Sequence, residues 1–197
     1  KGPFIETLPD FVKGRSIKQM VDEGVLHTKW SRLQDSTLFT RTLHEHQDAA
    51  IRQTGNCLVA TGTGSGKTES FLYPLIDDLL REDNLAEPGV RTILVYPLNA
   101  LANDQLTRIA KLLFRDLKDP GIRIGRYTGQ VSSVATRAEE EAKILQSPAF
   151  EEDFPGFDKV PDNWLLSRKE MRATPPHILI TNYAMLEHIL LLPKNRP

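Results

Sequence analysis

The stretch Cys57-Leu-Val-Ala-Thr-Gly-Thr-Gly-Ser-Gly-Lys-Thr-Glu69 joins three sequence patterns that together suggest one fold. Its first part, from Cys57 to Thr61, is short, apolar and β-branched, which predicts a buried strand. Its end leads into hydrophobic residues that recur on one helical face from Phe71 to Leu80, which predicts a helix beginning near Gly66. The stretch therefore predicts a strand, a glycine-rich turn and a helix.

This turn has the composition of a phosphate-binding loop. Its glycines allow a tight turn with inward N–H groups, and the helix start adds a positive dipole end, so a polyphosphate can bind there. In a P-loop the lysine, here Lys67, reaches the β- and γ-phosphates, and the next hydroxyl, here Thr68, ligates Mg²⁺. We therefore expect ATP and Mg²⁺ as cofactors, catalytic roles for Lys67 and Thr68, and Thr68 as metal ligand. The strict pattern has glycine where this chain has Thr61, and a purely structural turn is the alternative.

The composition limits the class of protein. With 197 residues, 40% hydrophobic and 26% charged, the chain is globular, with one domain or one domain plus an extension. No apolar run approaches the roughly 20 residues of a membrane span, and no secretory signal is seen. The single cysteine, Cys57, predicts a core position and a reducing, cytoplasmic setting. Because the net charge is −1, any affinity for nucleic acid must come from a local surface.

The order of patterns along the chain predicts an α/β fold. Strand patterns at 90–96, 121–127 and 177–181 follow the strand at 57–61, with helical patterns between them. Strands that alternate with helices form a parallel, doubly wound sheet. Residues 1–42, interrupted by Gly2, Pro3 and Pro9 and with one helix after Ser16, are predicted to be an N-terminal helical extension to a domain at 43–197.

Residues 131–176 break this alternation and are predicted to be an acidic, turn-rich insertion. The acidic run 151–153 is expected in a turn, and 163–173 to form one more helix. Near the predicted extension, His44 and His46 are two residues apart, which would place them on different sides of a helix and argues against a metal pair.

Five segments together carry a family resemblance: 43–47 (Leu-His-Glu-His-Gln), 60–69, 96–105, 125–129 (Gly-Arg-Tyr-Thr-Gly) and 180–187. They are similar, in this order, to the glutamine motif, motif I, motif Ia and two later loops of one family. Over about residues 38–192 the chain resembles the first RecA-like domain of superfamily 2 DEAD/DEAH-type helicases. The resemblance is nearest to large bacterial members with RecQ- or DISARM-type relatives.

The resemblance implies two sets of site residues. The cofactor-binding set is Gln47, which would read adenine, with Thr61, Gly62, Thr63, Gly64, Ser65, Gly66, Lys67, Thr68 and Glu69. The nucleic-acid-binding set, at predicted strand ends where α/β sheets bind ligands, is Pro97, Asn99, Ala100, Thr128, Gly129, Thr181 and Asn182. Arg108, Arg123 and Arg126 are open between nucleic-acid and structural roles, and Trp30 and Trp164 between base stacking and packing.

The implied function is the ATP-binding part of an ATP-dependent helicase that moves on or unwinds nucleic acid, DNA ahead of RNA. Its implied partner is a second RecA-like domain of the same parent protein, and no membrane is involved. No Asp-Glu pair follows a predicted buried strand, so we expect the chain to stop before motif II and to hydrolyse ATP poorly by itself. The alternatives are a double-stranded DNA translocase of a restriction or defence system and a non-motor P-loop domain.

Overall fold

The computed structural model describes residues 11–191. Features predicted within 1–10, including Gly2, Pro3 and Pro9, and within 192–197 lie outside the described residues. The chain divides into two compact units, Lys1–Arg81 and Glu82–Pro197, called here the first and second unit. The predicted boundary after residue 42 stays a prediction.

The first unit is mainly helical. Its elements are β1 (Lys13–Ser16), α1 (Ile17–Asp22), a 3-10 helix (Thr28–Leu33), α2 (Thr37–Thr40), β2 (Thr42–His44), α3 (Glu45–Ile51) and α4 (Lys67–Arg81). The two strands pair antiparallel. Ser16 caps α1 in a reciprocal capping box with Gln19, as the sequence predicts.

The long helix α4 forms the centre of this unit. Its buried face includes Leu72, Ile76, Leu79 and Leu80, which is the face predicted from the hydrophobic spacing. Trp30 is fully buried, and its ring meets the Tyr73 ring edge-on with 5.3 Å between centroids. The segment before residue 43 therefore packs on the P-loop helix, and Trp30 is a packing residue.

A charged cluster joins β1 to α3. The guanidinium of Arg15 donates to both carboxylate oxygens of Asp48, through Nε at 3.0 Å and Nη2 at 2.9 Å. Arg52 adds a bond of 2.8 Å from its Nε to Asp48 Oδ1. The hydrogen bonds from Arg15 lower the pKa of Asp48 to about 2, so its carboxylate stays charged at neutral pH.

The second unit contains a four-stranded parallel sheet. Its elements are β3 (Thr92–Tyr96), α5 (Asn99–Ala110), a π-helical segment (Lys111–Asp116), β4 (Ile124–Tyr127), α6 (Arg137–Leu145), α7 (Pro148–Asp153), β5 (Trp164–Leu165), α8 (Arg168–Ala173), β6 (Ile178–Asn182) and α9 (Tyr183–Leu191). The strand order is β3-β6-β4-β5. The α/β class and three of the predicted strands are confirmed.

The first predicted strand, Cys57–Thr61, is wrong. These residues form no strand, Cys57 is exposed, and the Leu58 side chain is 92% exposed. A β-strand forms only where another strand satisfies its N–H and C=O groups. Among the described residues no strand pairs with 57–61, so the apolar composition alone does not produce a strand.

The insertion at 131–176 is more ordered than a turn-rich crossing. The acidic run 151–153 ends helix α7, and the predicted helix at 163–173 is instead strand β5 followed by α8. Phe154 packs against Phe150 and Trp164 with centroid distances of 5.0 and 5.6 Å, and Trp164 stacks on Phe114 at 6.1 Å. These rings form a local aromatic core, which explains why the segment folds despite its acidic surface.

Within residues 11–191, no helix combines the length and the apolar character needed to cross a membrane.

Candidate nucleotide and nucleic-acid sites

The glycine-rich loop, residues 62–66, leads directly into α4. Gly64 and Gly66 have φ angles of 75° and 76°, a region that glycine occupies without the strain of other residues. Within the described part of the chain, no backbone N–H of residues 62–66 donates a hydrogen bond. Together with the start of a 15-residue helix, these N–H groups provide what a polyphosphate requires.

Lys67 lies against its own loop. Its Nζ donates to the carbonyl oxygens of Thr61 and Gly62, at 2.9 and 2.5 Å. The hydroxyls of Thr61 and the buried Ser65 lie 2.5 Å apart. Threonine in place of the usual glycine at 61 therefore forms a bond that closes the turn, and the departure from the strict motif is compatible with the loop.

Gln47 connects the glutamine motif to the loop. Its Oε1 accepts from the N–H of His44 at 2.8 Å, which caps α3, and its Nε2 donates to the carbonyl of Gly66 at 2.8 Å. The side chain is buried. The amide keeps one N–H and one lone pair beyond these two bonds, which is the hydrogen-bonding capacity that an adenine edge would use. The role in reading adenine stays a prediction.

The remaining loop residues surround the helix start. Thr63 is exposed, Thr68 is half-buried in the first turn of α4, and Glu69 is buried with its Oε1 3.9 Å from Nη2 of Arg41. Thr68 thus directly follows Lys67 in the first turn of α4. The metal role of Thr68 and the cofactor roles of Thr63 and Glu69 stay predictions.

Gly66→Ala is expected to lower the free energy of unfolding by about 2 kcal/mol, because a positive φ strains alanine. A Cβ there would also overlap Nε2 of Gln47 and disturb the contact between the two motifs. Gly62→Ala is the matched control, since its φ is not positive and a Cβ would meet nothing within 4 Å. Urea denaturation measures both. Equal effects would show that Gly66 does not set the loop geometry.

His44 and His46 lie closer together than their sequence spacing suggested. Their rings stack with 5.6 Å between centroids, because His44 is the extended cap of α3 and not part of the helix. Burial lowers the pKa of His44, which favours its neutral form. Among residues 11–191, no group of three or more His, Cys, Asp or Glu side chains is placed to hold a metal ion.

In the second unit, hydrogen bonds join the ends of neighbouring strands. Nδ2 of Asn182, at the end of β6, donates to Oδ1 of Asn99, at the start of α5, at 2.6 Å. The hydroxyl of Thr181 donates to the carbonyl of Tyr127 in β4 at 2.7 Å. The three predicted loops therefore lie at the same edge of the sheet, as parallel strands require.

The predicted nucleic-acid residues at this edge differ in exposure. Pro97, Ala100 and Gly129 are exposed, and Asn99 and Asn182 are half-buried. The side chains of Thr128 and Thr181 are completely buried. Neither threonine, side chain or backbone, therefore presents any surface to a nucleic acid in this structure. The role of all seven residues stays a prediction.

Three basic residues of α8 were missed by the sequence reasoning. Nη2 of Arg168 donates to the carbonyl of Thr128 at 2.9 Å, and its guanidinium lies 5.0 Å from the Tyr127 ring centroid. Nη2 of Arg172 donates to the Tyr127 hydroxyl at 2.9 Å, and Lys169 is exposed. The spacing 168, 169, 172 in a predicted helix was the available signal. These residues are called the α8 basic cluster.

The sequence leaves the roles of three arginines open, and one of them, Arg123, has a structural role. Its Nη2 donates to the carbonyls of Leu85 and Glu87, at 3.1 and 2.8 Å. Its backbone N–H donates to Nδ1 of the buried His177 at 3.0 Å. Burial lowers the pKa of His177, which keeps this acceptor nitrogen unprotonated. Arg123 therefore holds the segment before β3 through its Nη2.

The class of the chain is shown by comparison with known protein families. A family model of DEAD/DEAH box helicases matches residues 44–148, which is more than half of the chain. The chain therefore belongs to the DEAD/DEAH box helicase family, and the resemblance seen in the motifs is confirmed.

Relatives within this family are similar over most of the chain. Druantia protein DruE of Escherichia coli is 28% identical over 271 residues, covering 100% of this chain and 15% of DruE. The ATP-dependent helicase Lhr-Core of Methanothermobacter thermautotrophicus is 30% identical over 169 residues, covering 82% of this chain and 17% of that protein. The chain thus spans about one sixth of the length of these curated relatives.

A solved structure supports the fold. The DUF1998 helicase MrfA, crystallised with DNA and AMPPNP, aligns with 90% of this chain and 19% of its own at a TM-score of 0.53 and 19% identity. At this identity the likeness concerns the fold alone.

Proposed function

We propose that the chain is the ATP-binding part of an ATP-dependent nucleic-acid helicase, which couples ATP hydrolysis to movement on or unwinding of its strand. The observation that carries this proposal is the bond from Gln47 to the carbonyl of Gly66, which couples a base-reading candidate to the phosphate loop. A P-loop alone serves many enzymes. A glutamine fixed to it is typical of a site that senses a whole adenine nucleotide.

Different residues of the first unit would bind the phosphates, the Mg²⁺ ion and the adenine base. The free N–H groups of 62–66 and the α4 start would receive the phosphates, and Lys67 would turn from the carbonyls of Thr61 and Gly62 to a phosphate oxygen. Thr68 would hold Mg²⁺, which neutralises charge on the phosphates. Gln47 would use its remaining N–H and lone pair for adenine.

The residues of the second unit would hold the nucleic-acid backbone. Exposed Gly129 and the α5 start at Asn99 offer N–H groups, and the α8 basic cluster adds positive charge beside the same loop. This local charge explains how a chain of net charge −1 could bind a polyanion. We propose DNA ahead of RNA as this polyanion; DNA is also a ligand with which MrfA was crystallised.

The complete reaction belongs to the whole protein, of which the chain spans one part. We assign the groups that orient the attacking water to other segments, including a second RecA-like domain, because phosphoryl transfer needs them. We propose that the protein is cytoplasmic, because both nucleic acid and ATP are present there.

A double variant tests the nucleic-acid part of this proposal. Lys169→Ala with Arg172→Ala should weaken binding of a fluorescein-labelled single strand about tenfold at low salt. The slope of log K against log salt should become shallower by about 0.7 for each phosphate that the variant no longer neutralises. Fluorescence anisotropy across a salt series measures both quantities.

Lys159→Ala is the matched control, since this lysine of the same unit is 68% exposed and pairs with Asp162. It should leave affinity and slope unchanged. If the control and the double variant behave alike, the α8 basic cluster does not contact the strand. If the unchanged chain binds neither single strands nor Mg·ATP, the proposed function is wrong.

A further inference from the structure

A cavity lies in the second unit, apart from the predicted sites. It has a volume of about 340 Å³ and is lined by residues of α5, β4, α6, α7 and β5. It shares no lining residue with the predicted nucleotide or nucleic-acid sets. Its apolar wall consists of Leu106, Ile144, Phe150, Phe154 and Trp164. The cavity is open to solvent, and its volume lies within the range of small-molecule pockets.

One charged side chain in this cavity lacks a partner. Arg126, in β4, lines the cavity, and its Nε is buried without a hydrogen bond. Within residues 11–191 it has no ion pair. Burial lowers the pKa of Arg126, although a guanidinium remains charged at any physiological pH. Arg126 as a whole is half-buried. A buried side-chain nitrogen without a hydrogen-bond partner is uncommon in native proteins, and a bound ligand or ion is one explanation for it.

The other charges around the cavity are already paired. Lys143 bonds Glu140 at 2.7 Å, and Asp153 accepts from Lys111 at 2.5 Å. Glu140 acts on Arg126 only from beyond ion-pair distance. The charge of Arg126 is therefore the excess charge of the cavity, and an anion would balance it.

A second polar group in the lining is also unsatisfied. Oδ1 of Asn103 is buried without a hydrogen-bond partner, and Nδ2 of the same amide is 3.5 Å from Oε1 of Gln130. Because an amide oxygen only accepts hydrogen bonds, it would bind a hydroxyl or N–H group of the ligand and not the anionic group that Arg126 attracts. The apolar wall would meet the rest of the molecule.

We propose that this cavity binds a small organic carboxylate carried on an aromatic or branched apolar body. Its carboxylate would bond the guanidinium of Arg126. Its body would pack mainly on the half-buried Leu106 and Ile144 and would meet only the edges of the buried aromatic rings. This binding site is independent of the ATP and nucleic-acid sites.

The two tryptophans of the chain make the test specific. Trp164 lines the cavity, and Trp30 lies in the first unit. The probes are 2-naphthoate and its neutral match, 2-naphthamide, titrated into the ¹⁵N-tryptophan-labelled chain. We expect naphthoate to shift the Trp164 indole N–H and to bind about tenfold more tightly than naphthamide, as one charge-assisted hydrogen bond provides. The Trp30 resonance should not move.

The variants separate charge from shape. Arg126→Met should reduce the preference for naphthoate to within about twofold, while Arg91→Met, at an arginine of the same unit outside the cavity, should keep it. Ala149→Phe should reduce binding of both probes, because Ala149 lines the cavity and the added ring fills it. Equal affinity for the two probes in the unchanged chain overturns the proposal. An unchanged preference for naphthoate in Arg126→Met also overturns the proposal. If Arg126→Met does not fold, unchanged binding of the probes in Ala149→Phe overturns it.

Discussion

The Lys67→Ala variant is expected to bind Mg·ATP about 100-fold more weakly than the unchanged chain, with its fold intact. The lysine Nζ is held by the carbonyls of Thr61 and Gly62, and phosphate oxygens can replace these acceptors. Two charge-assisted hydrogen bonds of about 1.5 kcal/mol each correspond to this factor. Alanine also favours helix at the start of α4, so stability should change little.

Lys29→Ala is the matched control for this experiment. Lys29 also donates from Nζ to a backbone carbonyl, that of Leu80 at 2.6 Å, but at the opposite end of α4. It should change stability slightly and leave ATP affinity as it is. Isothermal titration calorimetry measures the affinities, and far-ultraviolet circular dichroism checks the fold. Unchanged affinity in Lys67→Ala would refute the assignment of the loop as the phosphate site.

The sequence predicted those parts of the fold that local patterns determine. Helix α4 has a clear apolar face and follows positive-φ glycines, so its start and its packing side were predictable. Strand β5 has only two residues, Trp164 and Leu165, and is too short for any periodicity to show. The error at 57–61 has another cause, since a strand depends on a neighbour that composition does not reveal.

For the candidate sites, too, the sequence predicted what local patterns determine and missed what depends on tertiary contacts. Motif order grouped Gln47 with the loop in one predicted site, but only the structure shows that its amide bonds Gly66 and His44. Sequence also could not separate exposed Gly129 from buried Thr128, because both follow the end of β4, where no regular periodicity relates position to burial. The surroundings of Arg126 and of Asp77 depend on long-range contacts, which a single sequence does not encode in any local pattern.

Asp77→Ala is expected to lower the free energy of unfolding by about 3 kcal/mol, the largest stability effect we foresee in the first unit. Oδ1 of this buried carboxylate accepts from the backbone N–H of His27 at 2.6 Å and from Nε1 of Trp30 at 2.9 Å. Its Oδ2 accepts from Nε of Arg81 at 2.7 Å. Alanine would leave the fully buried indole N–H of Trp30 without an acceptor and would release the helical segment that packs on α4.

Two further variants separate the hydrogen bonds from the charge. Asp77→Asn keeps an oxygen for His27 and Trp30 and weakens mainly the bond to Arg81, so about 1 kcal/mol should be lost. Asp22→Ala removes a carboxylate that is 59% exposed and pairs with Lys18, and less than about 0.5 kcal/mol should be lost. Urea unfolding followed by the Trp30 indole resonance reports on the first unit directly. If Asp77→Ala costs no more than Asp22→Ala, the Asp77 bonds do not stabilise the contact between Trp30 and the P-loop helix.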